Sequence, residues 1–199
     1  MIVGSLLLGA LFYYPLWKIT LVAPQYPEPL GLNIHINKLS DGDQFNDVNN
    51  IDLLNHYIGM QHLPTKENVL KGSVEAFPEF VYMPIIVGLM ICIGLVVGFI
   101  GRKKLYFYWL GLLSLLGCLG IYDFYSWLHK YGNELDPNAI LKMIDPATGN
   151  LMAYNPPILG FKQLLNFEVY SYPAVGAYFI IVSVLLVLGA YFLSSKEVK

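Results

Sequence analysis

The sequence predicts an all-α membrane protein: four transmembrane helices with two extracytoplasmic loops that form a small mixed cap. Three observations lead there. The chain is 56% hydrophobic and only 13% charged, with a mean hydropathy of +0.53, whereas a soluble domain carries about 25% charged residues. Four apolar runs are each near the length of about 20 residues that a helix needs to cross a bilayer. The basic residues collect beside one set of span ends, and the acidic residues collect in the long connections.

The first run, Ile2–Trp17 with an extension to Val22, predicts transmembrane helix 1 over 1–22. It lacks a basic leader, and Phe12-Tyr13-Tyr14-Pro15-Leu16-Trp17 is too bulky for a signal-peptide cleavage site, so an uncleaved anchor is expected. Loop one follows over 23–80. Within it, the alternation in Leu32-Asn33-Ile34-His35-Ile36-Asn37 predicts a strand, and Ser40-Asp41-Gly42-Asp43 a turn. Ile51, Leu54 and Ile58 recur at helical spacing after an Asn49 or Asn50 cap. Helices over 81–101 and 105–127 flank the basic turn Arg102-Lys103-Lys104. Loop two spans 128–172 with turn signals at Asp136-Pro137-Asn138, Asp145-Pro146 and Asn155-Pro156-Pro157, and the last helix covers 173–194.

The positive-inside bias puts the basic turn and the Lys196/Lys199 tail in the cytoplasm. Both termini are then cytoplasmic and both loops periplasmic, in the inner membrane of a bacterium. The connection from Lys18 to Phe80 carries eight acids against four lysines and loop two four against three, which agrees with that topology. Glycines such as Gly94, Gly98, Gly117 and Gly120 allow close helix approach. Cys92 and Cys118 fall inside spans, where they read as small buried apolar residues rather than a disulfide or metal pair.

Candidate chemistry concentrates in Leu53-Leu54-Asn55-His56-Tyr57-Ile58-Gly59-Met60-Gln61-His62, which holds two of the chain's four histidines. On a helix from Asn50, Asp52, His56 and Met60 share one face and His62 follows at its end. Imidazole with thioether suits copper, so His56, Met60 and His62 are candidate metal ligands. Asp52, Glu79, Asp123, His35, Met83 and His129 are the candidate supports. The plainer alternative has His56 bonding loop backbone while Met60 packs in the cap. Asp123 is the acid expected within a span, where ionisable groups are costly and mark a function or a structural pairing with Lys130 or His129. Glu79 suits the start of a helix. The sequence has no GxSxG, Walker loop, HExxH, CxxCH or GxGxxG motif, so no enzymatic activity, haem or nucleotide is indicated. No feature points to nucleic acid.

Tyr14-Pro15-Leu16-Trp17-Lys18-Ile19, Ala23-Pro24-Gln25-Tyr26-Pro27 and Leu54-Asn55-His56-Tyr57-Ile58-Gly59-Met60 together carry a resemblance. So do Tyr122-Asp123-Phe124, Leu135-Asp136-Pro137, Asn155-Pro156-Pro157-Ile158-Leu159-Gly160 and Tyr172-Pro173. Over nearly its whole length the chain resembles small bacterial integral membrane proteins from gene clusters of atypical (clade II) nitrous oxide reductases, beside copper-delivery lipoproteins and c-type cytochromes. The resemblance implies an accessory role in copper-enzyme maturation or electron supply, a copper enzyme, copper chaperone or cytochrome as partner, and copper at His56, Met60 and His62. Two further readings are a structural anchor that docks a cytochrome or reductase without metal, and a quinol-interacting subunit with Asp123 and His129 as proton acceptors. The quinol reading requires an apolar cleft beside Asp123.

Overall fold

The computed structural model describes residues 1–140, 144, 149, 153–164 and 166–194, with Lys66 described by its backbone alone. Helix α1 (Ile2–Leu7) tightens into a 3-10 segment (Leu8–Phe12), and then come strands β1 (Trp17–Val22), β2 (Leu30–Ile34) and β3 (Leu39–Asp41). Helices α2 (Asp47–Tyr57), α3 (Lys66–Leu70), α4 (Glu79–Ile100) and α5 (Lys103–Asn133) follow. Strands β4 (Gly160–Leu164) and β5 (Phe167–Pro173) then lead into α6 (Val175–Leu193). The strands form one antiparallel sheet in the order β3-β2-β1-β5-β4.

This corrects the expected all-α, four-span architecture: the fold is mixed α/β. Among the described residues, three helices are long and apolar enough to cross a membrane, namely α4, α5 and α6. The first apolar run is the one that differs. Pro15 has no N–H to continue a helix and biases Tyr14 away from helical geometry. Beyond it, Trp17-Lys18-Ile19-Thr20-Leu21-Val22 is β-branched and alternating, and it becomes the central strand. The helical part that remains is roughly 19 Å long at the α and 3-10 rises, against a hydrocarbon layer of about 30 Å.

That short segment is nevertheless fixed in the helical layer. Gly4 lies under Val187 and Ser183, and Ser183 Oγ donates to Gly4 O at 2.6 Å. Ser5, fully buried, sits on Gly94. Trp109 closes the same contact, its Nε1 donating to Met90 O at 3.0 Å. At the other end, Ala174 N–H donates to Leu16 O and Gly176 N–H to Pro15 O, at 2.9 and 2.8 Å. The sheet ladder therefore continues directly into the helix layer.

The loop-one signals hold for a helix and a strand, but Ser40 and Asp41 of the expected turn belong to β3, paired with β2. The expected helix is α2, and the expected strand appears as β2, two residues earlier than the alternation suggested. Val48 and Ile51 of α2 pack on Leu30 and Leu32 of β2, with Leu63 and Tyr131 completing the cluster. Buried Asp47 fixes the junction by accepting Gly31 N–H and Gln44 N–H at 2.9 and 3.1 Å. Helix α5 overshoots its expected end at 127 and reaches Asn133, about 47 Å in all. Its last turns thereby enter the cap, where Trp127 and Tyr131 stack at 4.6 Å. Asp136 makes the expected turn, accepting Asn138 N–H at 2.8 Å. The Asp145-Pro146 signal lies outside the described residues. Cys92 and Cys118 are exposed, contrary to the buried positions expected for them.

The α1–α4 contact yields a stability prediction. A Cβ at Gly94 would meet Ser5 Cβ at 2.7 Å and Trp109 Nε1 at 2.9 Å, whereas one at Gly189 has nothing within 4 Å. Gly94→Val is expected to cost about 1–3 kcal/mol by overpacking, a fall of about 2–4 °C in Tm per kcal/mol for a chain of this size. Gly189→Val is expected to leave Tm unchanged. Thermal unfolding of the detergent-solubilised variants measures both.

Candidate functional site

Between the sheet and the long helices lies a cavity of about 630 Å³, within the range of small-molecule sites. One face of α5 lines it from Leu113 through Gly117, Gly120, Phe124 and Trp127 to Tyr131, positions three or four residues apart that share a helical stripe. Helix α4 contributes from Glu79 to Met90, α6 Ala177 and Ile180, the sheet Ile19, Leu32 and Ile34, and α2 Ile51 and Leu54. Exposed Gly117 and Ile121 on α5 and Ile181 on α6 belong both to the lining and to the outer surface, so they form a rim. The two helices approach each other again at Phe107 and Tyr191, whose rings are 6.3 Å apart.

The wall is apolar except for a few groups, and these are unusual. Four buried side-chain polar atoms lack a hydrogen-bond partner among the described residues, and three belong to cavity-lining residues: Glu79 Oε2, His35 Nδ1 and Tyr154 OH. Orphaned buried groups are rare, because each costs about 1–3 kcal/mol. Asp123 also lines the cavity, close enough to Glu79 for the two charges to act on each other. It makes no ion pair with Lys130 or His129 among the described residues. Burial pushes the Tyr154 phenol up, which keeps it a hydrogen-bond donor.

His35 and Asp123 lie toward the level where sheet meets helices, whereas Tyr154 packs with Ala23 and Phe167 at the far end of the sheet. His35 directly follows Ile34, which pairs with Trp17, and the Trp17 ring lies 5.5 Å from that of Phe124, the neighbour of Asp123. Trp17 Nε1 is itself satisfied, donating to Ser171 Oγ at 2.8 Å.

The residues expected as copper ligands divide. His56 and His62 come together, their rings parallel within 14° at 5.1 Å. Asp52 orients the second ring, its Oδ2 lying 2.9 Å from His62 Nδ1 while it also accepts Asn68 Nδ2 and Leu63 N–H. Met60 is drawn inward, packing on both cap clusters and lining the cavity, whereas His56 is exposed. Among the described residues no three His, Cys, Asp or Glu side chains are grouped to hold a metal. Of the supports, Glu79, Asp123, His35 and Met83 line the cavity rather than the histidine pair. His129 belongs to neither: it is exposed, stacked on Tyr125 and beside Asn133 Nδ2 at 3.2 Å. The sequence named an apolar cleft beside Asp123 only as a requirement of the quinol reading; the α5 stripe with Gly117 and Gly120 carried its signal.

His35 gives a pH test. Burial first, and Lys38 second, hold its imidazole below the ordinary value of 6.5. The unfolded chain therefore takes up this proton more readily than the folded one, so stability is complete above about 6.5 and is lost as pH falls below it. Thermal unfolding between pH 7.5 and 5 is expected to show a falling Tm, with a shallower fall in His35→Gln. Comparison with known proteins adds no relative: no family model, curated protein or solved structure matches this chain.

Proposed function

We propose that this chain is a non-enzymatic integral membrane protein that holds a lipid-soluble amphiphile with a hydroxyl-bearing head, of the quinol type, in the cavity between its sheet and its long helices. The observation that carries the reading is the coincidence of an apolar cavity with unpartnered polar atoms on its wall. Glu79 Oε2 offers an acceptor, Tyr154 OH a donor, and His35 Nδ1 either according to its tautomer. The head of an amphiphile would pair with those of these atoms that it reaches, and its apolar remainder would fill the space. In this reading α4, α5 and α6 cross the inner membrane of a bacterium, with the Arg102-Lys103-Lys104 turn cytoplasmic and the sheet with α2 outside. The rim at Gly117, Ile121 and Ile181 then faces lipid, which is how such a ligand would arrive. Resemblance to proteins encoded beside atypical nitrous oxide reductases fits an accessory role in electron supply to a periplasmic copper enzyme.

Organic extraction of the purified protein, followed by mass spectrometry, is expected to return near one equivalent of a hydroxylated lipophile distinct from bulk phospholipid. Glu79→Leu removes a charged acceptor worth about 1.5–3 kcal/mol, so binding of a long-chain quinol should weaken at least about tenfold. Extracts holding only bulk phospholipid, with no saturable quinol binding, would sink the proposal.

A second reading is favoured by the stacked histidines. Asp52 binds Nδ1 of His62 and leaves Nε2 without that partner, the way a carboxylate orients a metal-ligating imidazole, and the His56 ring is stacked 5.1 Å away. These two imidazoles would take copper at the surface of the cap, as the resemblance implies, for delivery to a copper enzyme. In Cu(I) titrations against a competing chelator, His56→Ala and His62→Ala are each expected to weaken binding at least tenfold. A double variant that matches the wild type removes this reading.

A further inference from the structure

Beyond the cavity, at the ends of the long helices remote from the sheet, the chain turns from α4 into α5 through Gly101 and Arg102. Gly101 has a φ of 71, a left-handed helix cap that favours glycine. Arg102 follows in an extended conformation, and Lys103 and Lys104 open α5. Three consecutive cations thereby share one concavity, lined also by Leu105, Tyr108 and Ser194. The end of α6 reaches the same place: Lys103 Nζ lies 4.6 Å above the Tyr191 ring, which is itself 6.3 Å from that of Phe107.

The charge in this concavity is uncompensated. Among the described residues none of the three cations forms an ion pair, and the first turn of α5 holds no acid. The Tyr191 ring accounts for Lys103. Arg102 and Lys104 are exposed and have no comparable contact among the described residues. Backbone dipoles offset little: the C-termini of α4 and α6 and the N-terminus of α5 together bring about −0.5 elementary charge against three cations.

The surroundings select the anion. Phe99 and Ile100 at the end of α4, Phe107 near the start of α5, and Phe192 and Leu193 at the end of α6 are all half or more exposed. A soluble anion would meet the cations and leave this apolar belt bare. A molecule with an anionic head and hydrocarbon chains meets both. We infer that the α4–α5 turn binds one anionic phospholipid, its phosphate held by Arg102 and Lys104 and its chains laid against the exposed helix ends. The guanidinium fork matches two phosphate oxygens, and the Tyr108 and Ser194 hydroxyls are further donors in the lining. A choline or ethanolamine head would bring an ammonium among three cations, whereas a glycerol head brings none. This site requires that α4, α5 and α6 cross the bilayer, as proposed above, and is independent of what fills the cavity.

Native mass spectrometry of the full chain tests it, with phosphatidylglycerol and a phosphatidylcholine of the same acyl chains as probes and glycerol 3-phosphate as a soluble competitor. Wild type should bind one phosphatidylglycerol saturably, at least about tenfold more tightly than phosphatidylcholine. A cation beside an anionic lipid head is worth about fivefold in affinity. Arg102→Gln combined with Lys104→Gln should therefore weaken phosphatidylglycerol about 25-fold and leave phosphatidylcholine unchanged. Lys38→Gln combined with Lys130→Gln removes the same charge from exposed positions in the cap and should bind as wild type does.

Equal binding of the two lipids by wild type would overturn the site, as would full phosphatidylglycerol binding by the Arg102/Lys104 variant. An equal loss in the Lys38/Lys130 variant would overturn it too, by reducing the effect to net charge. Displacement of the lipid by glycerol 3-phosphate at matched concentration would make this a soluble-anion site instead. Alkaline extraction of the protein from reconstituted vesicles separates the two levels of failure. Release from the vesicles would sink the membrane-spanning reading, whereas retention without lipid preference would sink this site alone.

Discussion

The structure depends on the pairing of β1 with β5. These strands come from opposite ends of the chain, with Trp17 opposite Pro173 and Val22 opposite Glu168. Each continues without a real loop into the helical layer, β1 backward through Pro15 into the 3-10 segment and β5 forward into α6. The hydrogen bonds from Ala174 to Leu16 and from Gly176 to Pro15 carry the ladder two residues beyond its end. The orientation of the sheet on the helices is therefore set by backbone continuity on two adjacent strands, which leaves little freedom for the cap to swing. Everything built on the remaining strands, including α2 and its histidines, inherits that fixed position.

A rigid cap held over diverging helices creates the cavity. The helices pack closely where small residues meet, at Gly4, Ser5, Gly94 and Ser183 near the basic turn. Toward the sheet Gly176 of α6 packs on Tyr14 and Pro15 and Gly120 of α5 lies near Met83 of α4, while Gly117 on α5 faces open space. Cavities lose dispersion contacts on every wall atom, and the three orphaned polar atoms add their own cost. A sheet that could settle onto the helices would remove both penalties. The β1–β5 continuity opposes that settling.

Much of this could be read in the sequence. Length and apolarity identified α4, α5 and α6 because each is an unbroken run. The periodicity of Ile51, Leu54 and Ile58 located α2, since one amphipathic face covering a sheet leaves a local signature. The sheet was less legible. Ile19 and Leu21 alternate with Lys18 and Thr20, a period of two, but they adjoin an apolar stretch whose summed hydropathy masks the change of period. Val169 and Ser171 are buried on β5 while Glu168 and Tyr170 are not, and the same residues read equally well as an approach to a helix. Pro15 was the informative residue: as a helix stop it separates the two periods. Grouping His56 with His62 was legible from their spacing. The inward turn of Met60 was not, because it follows Gly59 at φ 84, a left-handed residue that reverses the chain's facing.

Helix α2 relates the two sites. Its inner side, Ile51 and Leu54, is cavity wall together with Ile58 just beyond its end, and its outer side presents His56. Tyr131, at the cap end of the α5 stripe, donates its hydroxyl to His62 O at 3.0 Å, so the wall of the cavity is hydrogen-bonded to the backbone of the histidine pair. Met60 stands between the histidines in sequence and faces the cavity. A ligand pressing on Met60, Ile58 or Tyr131 would act on the segments that set the distance between the two imidazoles, and a change at the imidazoles would act back on the wall by the same contacts. The cavity and the histidine surface are the two faces of one helix-thick layer, so a change on either face would be felt on the other through these contacts.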